Sequence, residues 1–253
     1  MTMMNSATEA PATATAALDF EHIGLTYQGG VEAVRDVTLA IEPGEFVSVV
    51  GPSGCGKSSL LSIAAGLQKP TVGTYERVSQ PQFVFQEAAL MPWRSVLQNV
   101  ELMLELKGEA RAVRREKAAA AIALVGLSGF ESALPRQLSG GMKMRVSLAR
   151  SLVCEPDVFL FDEPFGALDE ITRERLQGEL LRIRERSPFA GMFVTHSIAE
   201  ACFLSDRVIV MTGRPGQIAA EFRVELDAPR DSELRFDEQF VELCHSVTRA
   251  MEG

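Results

Sequence analysis

The chain has 253 residues, 46% hydrophobic, 23% charged and 7% aromatic, with a formal net charge of -9, which is material for one large α/β domain or two small ones. Its acidity excludes a dedicated nucleic-acid binder that works through a basic surface, and reads as ordinary solubility. Scattered cysteines (Cys55, Cys154, Cys202, Cys244), with no long apolar run and no basic-then-apolar leader, exclude a disulfide scaffold, a Cys-based zinc site, a membrane span and a secretory signal, and so describe a cytosolic chain.

In chain order, residues 1–17 are Ala/Thr-rich and poor in large apolar side chains, the composition of a disordered leader. Residues 18–28 and 34–42 alternate apolar and polar positions as strands do. Pro43-Gly44 marks a turn, 45–50 (EFVSVV) is a buried strand, and a helix is predicted from Ser58 to Gly66. Residues 70–85 hold turn residues and short β-rich runs ending in Phe83-Val84-Phe85. Residues 96–127 form a helical section whose RAVRREK stretch is a solvated face. Further helices are predicted over 140–152, 170–186, 197–204 and 232–251, the last with Phe236, Phe240, Leu243 and Val247 as apolar positions. Strands are predicted over 158–162, 191–195 and 207–212. Alternation of strands and helices gives an α/β fold with a mainly parallel core sheet and an antiparallel β element near the start.

Two motifs carry chemistry. Gly51-Pro52-Ser53-Gly54-Cys55-Gly56-Lys57-Ser58 fits G-x-x-x-x-G-K-[ST] between a strand and a helix, the context a phosphate loop requires. Its glycines let backbone N–H groups converge on phosphates at the positive end of the helix. Lys57 supplies a charge for the terminal phosphates, and Ser58 a hydroxyl for Mg²⁺. Cys55 holds a variable position and reads as packing; Ser59 is expected to point elsewhere. In VFLFDE, apolar residues 158–161 bury the strand and Asp162 emerges at its C-terminal end, where α/β sheets hold ligands. Asp162 is expected in the Mg²⁺ shell and Glu163 beside the attacking water, as base or positioning group. Leu138-Ser139-Gly140-Gly141 adds a Gly-rich helix start offering a serine hydroxyl and bare N–H groups to an anion.

With LSGG set between the phosphate loop and the acidic strand, residues 18–225 resemble an ATP-binding-cassette (ABC) ATPase, the nucleotide-binding subunit of an importer. The resemblance implies a P-loop NTPase cassette with an N-terminal antiparallel β subdomain and a helical signature subdomain at about 87–152. Residues 226–253 form a helical tail packed on the same domain. Tyr27 matches an aromatic that stacks on adenine. Gln86 matches the glutamine that senses Mg²⁺ and γ-phosphate and contacts the membrane partner. Phe165-Gly166-Ala167-Leu168-Asp169 matches the loop linking two nucleotide sites, and His196 the switch histidine at the γ-phosphate; His22 and His245 match nothing. The implied cofactors are ATP, bound by Tyr27, residues 51–59, Ser139, Gly140, Gly141 and Asp169, and Mg²⁺, held by Ser58, Gln86 and Asp162. Lys57, Gln86, Glu163 and His196 are the implied catalytic set.

Leu90–Val100 (LMPWRSVLQNV), the signature LSGGMKMRVSLAR and Arg214-Pro215-Gly216 resemble the nitrate/sulfonate/taurine-type importers. In that group two cassettes pair head to tail, the signature of one on the ATP of the other. They sit on the cytoplasmic face of the membrane under permease subunits, here through Gln86–Trp93 with Met91, fed by a solute-binding protein. Departures from the pattern are a short 70–86 stretch, Met142 and Met144 for glutamines, and Ser197 for aspartate. The alternative is a soluble ABC-type ATPase not coupled to transport. A short span from Lys57 to Leu138 leaves no room for a long coiled coil, a single cassette is present, and the acidity disfavours nucleic acid. Intact Glu163 and His196 argue against a catalytically dead regulatory subunit.

Overall fold

The computed structural model describes residues 16–252 apart from Ala167 and Ala228. Of the expected 1–17 leader, residues 1–15 therefore lie outside the described residues; Ala17 is buried. Strands β1 (Leu18–Thr26) and β2 (Glu32–Ile41) pair antiparallel, with Leu18, Phe20, Ile23 and Leu25 inward. Register slips occur near His22 and Asp36, both at positive φ, whose side chains pair at 2.7 Å. His22 is thus a partner at a sheet irregularity.

Strand β3 (Phe46–Val50) has every residue buried, as a central parallel strand must. Helix α1 (Lys57–Ala64) follows it, and β4 (Val72–Arg77) returns to β1, completing a three-stranded sheet of order β2-β1-β4. The short 70–86 stretch thus divides between two sheets: β5 (Gln82–Val84) leaves for the second. The helical section expected over 96–127 consists of two helices, α2 (Val96–Leu106) and α3 (Arg111–Leu124), separated at Lys107-Gly108. Both pack on α4 (Gly140–Leu152).

Strand β6 (Val158–Asp162), helix α5 (Glu170–Arg186), strand β7 (Ala190–Val194), helix α6 (Ile198–Leu204) and strand β8 (Arg207–Met211) lie within a residue or so of their predicted bounds. Strand β9 (Ile218–Arg223), which the sequence pattern does not reveal, pairs antiparallel with β8 at the sheet edge. It carries two alanines and no buried residue, so its alternation is faint. The second sheet runs β5-β6-β7-β3-β8-β9, parallel except for β9.

That sheet separates two apolar cores. Phe46 and Val50 point into one with Phe159, Phe161, Phe193 and helices α2 to α6; Val47 and Val49 point into the other with α1 and the small sheet. Register aligns Val194 with both Val49 and Asp162, so the ends of β3, β6 and β7 open on one edge.

The tail departs from its predicted single helix. Ser232–Phe236 is a 3-10 turn that leaves Phe236 82% exposed, and α7 (Glu238–Glu252) begins after Asp237. Phe240 and Val247 of α7 are buried in the helix-side core, against α6 and β8. Phe240→Ala should therefore cost about 3 kcal/mol, read as a lower unfolding midpoint in a denaturant titration; an unchanged midpoint would show that the tail is not part of the cooperative unit.

Candidate functional site

The phosphate loop leaves β3 and turns into α1 through Gly56, at φ 102, which caps the helix. A Cβ there would lie 2.5 Å from Ala33 O, so only glycine fits. Lys57 is 7% exposed and its Nζ donates to Gly51 O at 2.8 Å and Pro52 O at 3.1 Å. Its ammonium is thus folded into the loop on neutral carbonyls, which phosphate oxygens would outbid with charge-assisted bonds. Cys55 is buried with Sγ 3.8 Å from Lys57 Nζ, in keeping with a packing role.

A hollow of about 240 Å³ opens on this loop, lined by Tyr27, Ser53, Gly54, Lys57, Ser58, Ser59, Glu163 and Arg214 among others. Tyr27 is partly exposed at its rim, and its hydroxyl lies 2.9 Å from Ser59 Oγ. Ser59, expected to point elsewhere, is instead a wall residue that fixes the tyrosine. Arg214 joins the wall as well, a place that its Arg-Pro-Gly tripeptide does not announce. Gly216 explains it: a Cβ at Gly216 would lie 1.8 Å from Cys55 O, so the 212–216 segment lies directly on the phosphate loop. A hollow of similar volume, about 250 Å³, near Gly44, Arg184 and Asp206 has no phosphate loop on its wall.

Asp162 ends β6 and accepts from Ser58 Oγ at 3.2 Å. Burial pushes its carboxyl above the ordinary range; the Ser58 hydroxyl pulls it back, Glu163 pushes it up and Lys57 lowers it. Glu163 sits at φ 45, an uncommon value for a non-glycine residue, with its N–H on Val194 O. Its Oε2 lies 3.0 Å from His196 Nδ1, so the structure joins the two strand ends across β6 and β7. Gln86 is exposed, with Nε2 3.3 Å from where a Cβ on Gly166 would lie, beside the Glu163 carboxylate.

The segment after Gln86 is pinned at both ends by Arg150, the last residue of the LSGGMKMRVSLAR run, and Asn99, within the Leu90–Val100 run, neither of which the sequence assigns a role. Arg150 donates to Ala88 O and Ala89 O, each at 2.9 Å. Asn99, fully buried, donates to Met91 O, Arg94 O and Ser95 O and accepts from Met91 N. Trp93 is thereby held 73% exposed, while Met91 is half-buried.

Ser139, Gly140 and Gly141 are not among the residues lining the hollow. Ser139 Oγ caps α4, accepting from Met142 N at 3.3 Å, and Gly140 faces open space. Gly141 lies under Thr172 of α5. Asp169 caps α5, accepting from Thr172 N at 3.0 Å, and that bond holds its carboxyl below the usual range.

Residues 34–166 match the family described as ABC transporter. An aliphatic sulfonates import ATP-binding protein of Pseudomonas syringae is 47% identical over 203 residues, 80% of this chain and 85% of the relative. A nitrate import ATP-binding protein of Synechocystis is 45% identical over 223 residues, 85% and 83%. A bacterial ABC transporter cassette solved as a dimer superposes with a TM-score of 0.73 at 32% identity, covering 83% of this chain and 100% of that one.

The chain belongs to the ABC transporter family.

It is an ATP-binding, ATP-hydrolysing member of it, and the hollow opens beside its phosphate loop. The raised Asp162 carboxyl makes a testable statement about that hollow. Because its folded pKa lies above the unfolded one, the charge is no burden below the ordinary aspartate range and becomes one as pH rises through the shifted value. Without nucleotide or divalent cation, Asp162→Asn should melt higher than the unaltered cassette at neutral pH, with the gap closing as the pH is lowered. A gap that is absent at neutral pH or that widens in acid would contradict the assigned burial.

Proposed function

We propose that this chain is the ATPase of an importer for a small solute of the nitrate, sulfonate or taurine kind, working as a head-to-tail pair. One observation carries the pairing: the hollow holds Tyr27, the phosphate loop and Glu163, while the anion-seeking helix start at Ser139–Gly141 lies outside its walls. A second copy can supply that helix start, its positive end closing on the phosphates. Similarity to nitrate and aliphatic sulfonates import ATP-binding proteins supports the importer assignment and the solute class.

In this reading Tyr27 stacks on adenine and residues 51–59 cradle the phosphates, with Lys57 moving from its loop carbonyls to the terminal phosphate oxygens. The donor set suits Mg²⁺, which takes few protein oxygens and keeps water and phosphate ligands. Ser58 Oγ and Asp162 Oδ1 are 3.2 Å apart, and Gln86 stands nearby. Among the described residues no cluster of three or more His, Cys, Asp or Glu would cage a metal alone. The ion neutralises charge on the phosphates when bound. Glu163 polarises the attacking water, and His196 fixes the Glu163 carboxylate while facing the γ-phosphate. Asp169 and its loop lie toward the paired copy.

Among the described residues no helix is long and apolar enough to cross a membrane, so contact with the bilayer is assigned to permease subunits. The Gln86–Trp93 segment, pinned by Arg150 and Asn99, offers them a fixed aromatic knob at the cytoplasmic face. A solute-binding protein completes the importer.

Glu163→Gln tests the catalytic assignment because it keeps the shape and removes the base. Turnover should fall on the order of 100-fold or more, while ATP gathers the chain into dimers seen by size-exclusion chromatography. Hydrolysis at the normal rate would remove Glu163 from its role.

A further inference from the structure

Behind the His196 turn stands a carboxylate that the hydrolytic reaction leaves unused. Glu200, in the first turn of α6, is 5% exposed. Burial pushes its carboxyl upward, so its place depends on strong partners. Its Oε2 accepts from Thr195 Oγ1 at 2.6 Å. Its Oε1 accepts from Gln177 Nε2 at 3.1 Å and lies 3.5 Å from Arg173 Nε. The other amide atom of Gln177, Oε1, accepts from Arg235, which fixes the amide so that its NH₂ group faces Glu200.

The two sides of Glu200 lead to the two halves of the catalytic contact. Thr195 Oγ1, while donating to Glu200, accepts from Ser197 N at 3.0 Å, and Ser197 Oγ accepts from Glu200 N at 3.3 Å. These bonds close the turn whose middle residue is His196. On the other side Arg173 donates to Leu168 O at 2.9 Å and Phe165 O at 3.4 Å, in the loop that comes after Glu163. His196 and Glu163 meet at 3.0 Å between these supports, and both are partly solvated, so their own contact is a weak constraint.

We propose that Glu200 is a positioning residue for hydrolysis, holding the His196 turn through Thr195 and the loop after Glu163 through Arg173. This rests on the assignment of His196 and Glu163 to the chemical step. A residue acting this way changes turnover and leaves substrate affinity alone, since none of its partners lines the nucleotide hollow.

The test is single-turnover and steady-state ATP hydrolysis by the full chain. Glu200→Ala and Thr195→Val should each lower kcat on the order of 10- to 100-fold with KM for ATP changed by less than about twofold. Thr195→Ser, which restores the hydroxyl, should recover most of the loss, and Glu200→Ala should cost less in a His196→Ala background than in the unaltered chain, the remainder being its hold on the loop after Glu163. A KM effect without a kcat effect, an undiminished Glu200→Ala penalty in that background, or normal turnover by Thr195→Val would make Glu200 a packing residue and overturn the proposal. If Glu200→Ala does not fold, the Thr195 pair decides alone. Normal turnover by His196→Ala itself would overturn the His196 assignment, a separate failure read from a separate variant.

Discussion

Parallel pairing of β7 with both β3 and β6 is the constraint on which the chemistry depends. It sets Val50, Asp162 and Val194 at one edge, so the next residues of three distant segments must leave the sheet side by side. The phosphate loop follows β3, Glu163 follows Asp162, and His196 comes after Val194 with Thr195 between them. No loop flexibility is needed to assemble them, because buried ladders and the aromatic cluster of Phe46, Phe159, Phe161 and Phe193 fix the strand ends. The close fit of Gly216 against Cys55 then clamps the phosphate loop from its outer side.

Much of this was legible in the sequence because periodicity and motif agreed. The EFVSVV run, the glycine spacing of residues 51–56 and the VFLFDE run each identify an element together with the functional residue at its end. The features that escaped had no local signal. Strand β9 is an edge strand without a buried residue, and the 96–127 section keeps helical periodicity across a turn at Lys107-Gly108. Arg150 acts on Ala88 and Ala89, and Glu200 on Gln177 and Arg173, partners far from them in the chain, so no spacing marks them. Asn99 acts on nearby main-chain groups of an irregular turn that has no periodicity to read. Ser59 was misplaced because only the fold brings Tyr27, 32 positions away, to its hydroxyl. Phe236 shows the opposite error: an apolar residue counted toward a helix face stands exposed on a 3-10 turn.

Two helix caps bear on the proposed completion of the site by a second copy. Ser139 and Asp169 each accept a hydrogen bond from their own helix, yet Ser139 is exposed and Gly140 faces open space. Capping fixes the serine hydroxyl beside N–H groups that α4 itself does not satisfy. Gly141 lies directly under Thr172, so α4 and α5 approach closely beside the Ser139 and Asp169 caps. A surface prepared in this way would gain most from a ligand already anchored on another copy, and in the proposed pair ATP would favour the closed form by its added contacts.

The split site is tested most directly by mixing two inactive chains. One carries Ser139→Arg, which spoils the helix start, and the other Glu163→Gln, which spoils the hydrolytic edge. In a head-to-tail pair of unlike copies one of the two sites is built from intact parts only, so the mixture should hydrolyse ATP faster than either chain alone. A rate equal to the mean of the two separate preparations would contradict a site shared between copies.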